Sequence, residues 1–144
     1  MVAFFTPVAR PTMNGLHLSA ELHACAGPAR WMTDARHLRA AAVQAVAQAG
    51  LQAVGAVFHQ FPGQTPDEAG GVTGVVLLAE SHLALHTWPE LATVTLDVYV
   101  CNRSGDHSDR ARQVMAVMQT LFQPGRTEQR EVIRGAVVPG PAPR

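Results

Sequence analysis

The sequence predicts an α+β fold: a two-layer sandwich with two helices on one face of a largely antiparallel sheet, in the order β-α-β-β-β-α-β. Two observations carry this. Leu16, Leu18, Ala20 and Leu22 alternate with His17, Ser19 and Glu21, and Val94, Leu96, Val98 and Val100 alternate likewise, the two-residue period of half-buried strands. Two other stretches, well apart in the chain, place apolar residues at helical spacing. Several strands with only two separated helices pack most simply as one sheet with both helices on the same face.

Each element has its own signals. Residues 1–14 contain Pro7, Pro11 and Asn14 and read as a flexible arm ahead of a single domain spanning 15–138. After the first strand, Thr33 or Asp34 can cap a helix that runs to about Ala49 and stops at Gly50. Leu38, Ala42, Val46 and Ala49 share one face of it. Leu51 to Phe61 is β-branched and aromatic enough for a second strand, and Pro62 to Gly71 is a loop. Val72 to Ala79 reads as a buried strand and Thr93 to Cys101 as the next. Ser104 to Asp109 offers helix caps. The second helix, about Arg110 to Phe122, presents Val114, Val117, Met118 and Leu121 on one side. Gln129 to Val138 is the last strand, and the proline-rich 139–144 is a disordered tail.

Composition narrows the function. The 144 residues are 47% apolar and 15% charged, a balance that suits a subunit interface on a one-domain protein. Net charge is zero, and the eleven basic residues form no stripe, which argues against nucleic-acid binding. No apolar run approaches the roughly 20 residues of a membrane helix, and no secretory signal is visible, so a cytoplasmic protein without membrane association is expected. Cys25 and Cys101 form no CxxC and are expected to stay thiols. There is no lysine. A pyridoxal phosphate enzyme holds its cofactor on a lysine, so that cofactor is excluded. Imine chemistry here would need a carbonyl made from the chain itself.

The segment Glu80 to Glu90 (ESHLALHTWPE), with Cys101 beyond it, holds the chemistry. Ser81 follows a predicted strand and precedes a segment broken by Pro89. A serine at such a strand end can attack the Glu80 carbonyl and turn the amide into an ester, with Thr73 as a candidate oxyanion donor. His86 can then remove the Ser81 Cα proton and expel Glu80. The resulting dehydroalanine hydrolyses to a pyruvoyl group, and Cys101 can sit nearby as an acid. Other readings stand beside this one. Ser81 can be an ordinary turn residue and Trp88-Pro89 a packed turn. His82 and His86 can ligate zinc with Cys101 or Cys25. Cys25 reads as a core thiol and His59 as a strand histidine.

The stretch Gly71 to Glu90 (GVTGVVLLAESHLALHTWPE) resembles the signature of the small prokaryotic S-adenosylmethionine decarboxylase proenzymes. The likeness extends to Gly15–Cys25 (GLHLSAELHAC), Phe58–Phe61 (FHQF) and Asp97–Cys101 (DVYVC). It implies autocatalytic cleavage between Glu80 and Ser81 into a β chain 1–80 and an α chain 81–144. The α chain would begin with a covalently bound pyruvoyl group made from Ser81, with no metal. It further implies that His86 and Thr73 serve processing and that Cys101 is the general acid of decarboxylation. Phe61 and Trp88 fall where adenine-stacking aromatics lie, and Glu90 where a carboxylate holds the ribose. The expected protein is a homodimer with active sites at or near the interface, and its product is the aminopropyl donor of spermidine biosynthesis. Three departures are visible: a longer loop at Pro62 to Gly70, Leu91-Ala92 in place of an aromatic and a glycine, and Asn102 in place of a glycine. They leave open the same machinery acting on ornithine or arginine. A non-catalytic or metal-binding relative is the remaining alternative.

Overall fold

A computed structural model describes residues 14–135; the expected arm up to residue 13, residues 136–138 of the predicted last strand and the expected tail 139–144 lie outside the described residues. Six strands form one sheet: β1 (Gly15–His23), β2 (Ala53–Pro62), β3 (Ala69–Leu78), β4 (His82–Trp88), β5 (Thr93–Cys101) and β6 (Arg126–Arg134). Their spatial order is β2-β3-β4-β5-β1-β6, and every neighbouring pair is antiparallel. A short helix α1 (Arg30–Thr33) leads into α2 (Ala35–Gln48), and α3 (Ser108–Phe122) precedes β6. None of these helices is long and apolar enough to cross a membrane.

The α+β sandwich is as expected, with one strand more. His82–Trp88 is a strand rather than a broken segment, because Leu83, Leu85 and Thr87 alternate inward against the β5 core residues Val98, Leu96 and Val94. Pro89 ends it, starting a 3-10 turn (Pro89–Leu91) rather than interrupting a strand. The last strand starts three residues earlier than predicted, at Arg126, pairing with His23 of β1.

One face of the sheet is the core. Leu16, Leu18, Leu22, Leu83, Leu85, Leu96 and Val98 are essentially solvent-free there, each full Leu burial contributing about 1.5–3 kcal/mol. From the helices, Leu38, Ala42 and Val46 of α2 meet them, as do Ala111, Val114, Met115, Met118 and Phe122 of α3. The α3 face is thus rotated from the predicted one: Val117 and Leu121 flank the core, and Met115 and Phe122 fill it. Asp34 caps α2 by accepting from the His37 N–H at 2.9 Å, and Gly50 ends it at φ 79°.

Among the described residues, no helix covers the opposite face. Register places His17, Asp97, Tyr99, His82, Ala84, His86, Thr73 and Val75 there. Val57 is 65% exposed, Val132 51% and Leu77 46%.

Candidate active site

The expected site residues fall into two groups, at opposite ends of β4. At the first end, β3 and β4 are joined by a tight hairpin in which the Leu78 N–H donates to the Ser81 carbonyl at 2.9 Å. Ala79 and Glu80 form its exposed tip. The next strand over, β5, ends at Cys101, which is only 6% exposed. The backbone N–H of Cys101 donates to Ser81 Oγ at 3.0 Å. Sheet pairing therefore joins the hydroxyl and the thiol-bearing residue although twenty positions separate them.

Beside this pair lies a group of polar rings on the open sheet face. His82 faces Tyr99 with ring centroids 5.6 Å apart, and the Arg134 guanidinium lies 4.7 Å from the Tyr99 centroid. His17 Nε2 and Asp97 Oδ1 are 2.9 Å apart. Burial, then repulsion from His17, lowers the His82 pKa below the ordinary imidazole value, with Asp97 opposing. The ring beside Ser81 is thereby kept neutral near pH 7.

At the second end of β4, His86 pairs across the ladder with Thr73 of β3, and Thr73 Oγ1 and His86 Nδ1 are hydrogen bonded. Both open into a cavity of about 860 Å³ whose walls include Phe61, Trp88, Glu90 and Glu68. The His86 and Trp88 rings are 5.9 Å apart, and His59 meets the Phe61 ring edge-on at 4.7 Å. The 3-10 turn places Glu90 at the cavity rim, and the chain leaves that turn through Ala92 at φ 46°. Aromatic walls with carboxylates at the edge suit a flat ring system carrying hydroxyls or a cation.

Within one chain the two groups do not meet. Five residues of extended strand separate Ser81 from His86, which at 3.3 Å per residue is about 16 Å. Thr73 stands opposite His86 and is equally remote from Ser81, so it is no oxyanion donor to the serine of its own chain. The zinc reading fares no better. Among the described residues no three His, Cys, Asp or Glu side chains converge as metal ligands.

Sequence reasoning missed two residues that shape the cavity. Thr87 is buried; its Oγ1 accepts from the Val72 N–H at 2.8 Å and donates to the Met32 carbonyl at 2.7 Å. A hydroxyl at a core-facing strand position is the signal that could have found it. Gln60 is exposed and carried no signal of its own; its contacts depend on strand register.

Comparison with known proteins identifies the family. Residues 16–135 match the family described as S-adenosylmethionine decarboxylase. The S-adenosylmethionine decarboxylase proenzyme of Syntrophomonas wolfei is 36% identical over 121 residues, covering 84% of this chain and 86% of that protein. An arginine decarboxylase proenzyme of Aeropyrum pernix is 42% identical over 96 residues, covering 66% of this chain and 65% of its own. The crystal structure of the adenosylmethionine decarboxylase from Aquifex aeolicus matches with a TM-score of 0.73 at 33% identity, covering 88% of this chain and 95% of that one.

Proposed function

The chain belongs to the S-adenosylmethionine decarboxylase family, and from that premise we propose that it is a self-cleaving, pyruvoyl-dependent decarboxylase of S-adenosylmethionine. The observation that carries the reading is the sorting of its site residues. Phe61, Thr73, His86, Trp88 and Glu90 line one cavity, while Glu80, Ser81 and Cys101 meet at one hairpin.

In processing, Ser81 Oγ attacks the Glu80 carbonyl carbon, and the peptide bond is exchanged for an ester. Removal of the Ser81 Cα proton by a base then breaks the ester C–O bond and frees Glu80 as a carboxylate, and the remaining dehydroalanine tautomerises to an imine that water hydrolyses to the pyruvoyl end with release of ammonia. The hairpin suits this. Its tip is exposed, and the Cys101 N–H fixes the Ser81 oxygen. The absence of lysine is consistent with a carbonyl of this origin. Once formed, the pyruvoyl group supplies a carbonyl that condenses with the substrate amine and takes up the electrons released with carbon dioxide. Cys101 is the proton donor to the substrate α carbon, Phe61 and Trp88 stack the adenine, and Glu90 accepts from the ribose hydroxyls.

A base must come within about 3 Å of the proton it removes, and about 16 Å separates Ser81 from the His86 of its own chain. A homodimer resolves this. The uncovered sheet face, with Val57, Leu77 and Val132 exposed, supports packing against its own copy about a two-fold axis. Each active site then takes Ser81 and Cys101 from one chain and Thr73, His86 and the aromatic cavity from the other. The product is the aminopropyl donor of spermidine biosynthesis, made in the cytoplasm.

A second reading, decarboxylation of arginine, is favoured by the Aeropyrum relative and by the carboxylates Glu68 and Glu90, which could hold a distal cation. The two aromatic walls favour the nucleoside. Denaturing mass spectrometry tests the class: the parent chain should give two fragments meeting at Glu80/Ser81, and Ser81→Ala one intact, inactive chain. Carbon dioxide release from S-adenosylmethionine, ornithine and arginine then tests the substrate. An intact parent chain after long incubation would overturn the proposal.

A further inference from the structure

The ladder between β2 and β3 breaks beside the cavity. Gln60 pairs with Val72, but the next partners are Pro62 and Ala69, so Gly70 and Gly71 of β3 together oppose Phe61 as a bulge. A bulge bends its strand locally and leaves backbone groups without ladder partners. The neighbouring side chain fills that gap. Gln60 Nε2 donates to the carbonyls of Gly70 at 2.9 Å, Gly71 at 3.2 Å and, more weakly, Phe61 at 3.4 Å. Its Oε1 accepts from the Ala35 N–H, the first residue of α2, at 2.9 Å. This satisfies the amide in one orientation only, since Ala35 offers a donor and the three carbonyls need one.

The packing around the bulge leaves little room for adjustment. A Cβ on Gly70 would lie 2.3 Å from the Pro62 oxygen, and one on Gly71 would lie 2.1 Å from the Thr87 oxygen. Phe61, opposite these glycines, lines the cavity. We propose that Gln60 is the positioning residue of the aromatic cavity: its amide ties the β2 segment beside Phe61 to the Gly70–Gly71 bulge and to the start of α2, and so holds Phe61 in the cavity wall that it shares with Trp88. The role rests on the nucleoside reading of the cavity. Because Gln60 is exposed, its bonds compete with water and add little to stability. A positioning role therefore predicts a change in substrate affinity well out of proportion to any change in melting temperature.

The test compares the full-length parent with Gln60→Ala and Gln60→Glu. Three readouts are taken: KM and kcat for carbon dioxide release from S-adenosylmethionine, the Kd of 5′-methylthioadenosine by calorimetry, and the melting temperature. Both variants should raise KM and Kd at least fivefold, keep kcat within about twofold and melt within about 2 °C of the parent. Gln60→Glu should match Gln60→Ala, because an ionised carboxylate can still accept from Ala35 but cannot donate to the carbonyls. A parent that binds the nucleoside, with variants at parental KM and Kd, would overturn the positioning role alone. So would a joint fall of kcat and melting temperature, which marks general destabilisation. A parent that binds no nucleoside would overturn the role together with the substrate reading.

Discussion

The two ends of β4 lie on one strand and are built for different work. The hairpin end is tight: the Cys101 N–H donates to Ser81 Oγ, and Cys101 is buried. The far end is open: Thr73 and His86 face a cavity walled by aromatic and acidic side chains. The first can hold a reacting atom in place, but Ser81 and Cys101 are not among the residues that line the aromatic cavity. The second has the room but lacks the nucleophile. A strand is a rigid spacer, so the two ends of one chain stay about 16 Å apart however the loops move. In the proposed dimer, bond-making and recognition are therefore divided between two copies.

The largest test of this division is complementation. Ser81→Ala and His86→Ala chains should each fail to cleave alone. Co-expressed, they form hybrid dimers in which the Ser81 of one chain meets the His86 of the other, and cleavage of the His86→Ala chain should return at one site per hybrid. Mass spectrometry of the mixture checks this, and no cleavage in hybrids isolated by two affinity tags would break the comparison. Next in size, Cys101→Ala should still self-cleave to some extent but lose decarboxylation kcat by about 10²- to 10⁴-fold, the usual worth of a general acid. Full activity would remove Cys101 from the mechanism. At the other end, Trp88→Ala should act on binding. Loss of one stacking face costs about 1–3 kcal/mol, or roughly 5- to 150-fold in KM, read from steady-state kinetics. The smallest effect belongs to Ala92, which the 3-10 turn holds at φ 46°. Ala92→Gly should stabilise the fold by about 0.5–1 kcal/mol in denaturant unfolding, relief of left-handed strain outweighing the greater freedom of glycine when unfolded.

Ala92 also shows what the sequence could disclose. Its departure from a usual glycine was visible in the chain, and the left-handed turn explains why glycine is usual there. The strands β1 and β5 were legible because nothing interrupts their alternation. β4 has the same alternation, but Thr87 replaces an apolar residue on its inner side and Pro89 follows closely, so the pattern was read as a break. Among the site residues, identity was legible and partnership was not. Five positions seem close on paper, and only the extended geometry of β4 sends Ser81 and His86 apart, whereas twenty positions between Ser81 and Cys101 vanish once two strands pair. Gln60 was invisible for a related reason, since its partners exist only where the register of β2 and β3 slips.

The spacing along β4 also bears on how fast the protein matures. In the proposed dimer, nucleophile and base lie on separate copies, so an isolated chain would have no internal route to its own activation and the chemistry would wait for an encounter. Below the dimer dissociation constant, the initial velocity of cleavage then scales with the square of protein concentration, while above it the reaction becomes first order. Newly made chains at low abundance stay dormant, and activity rises more steeply than expression.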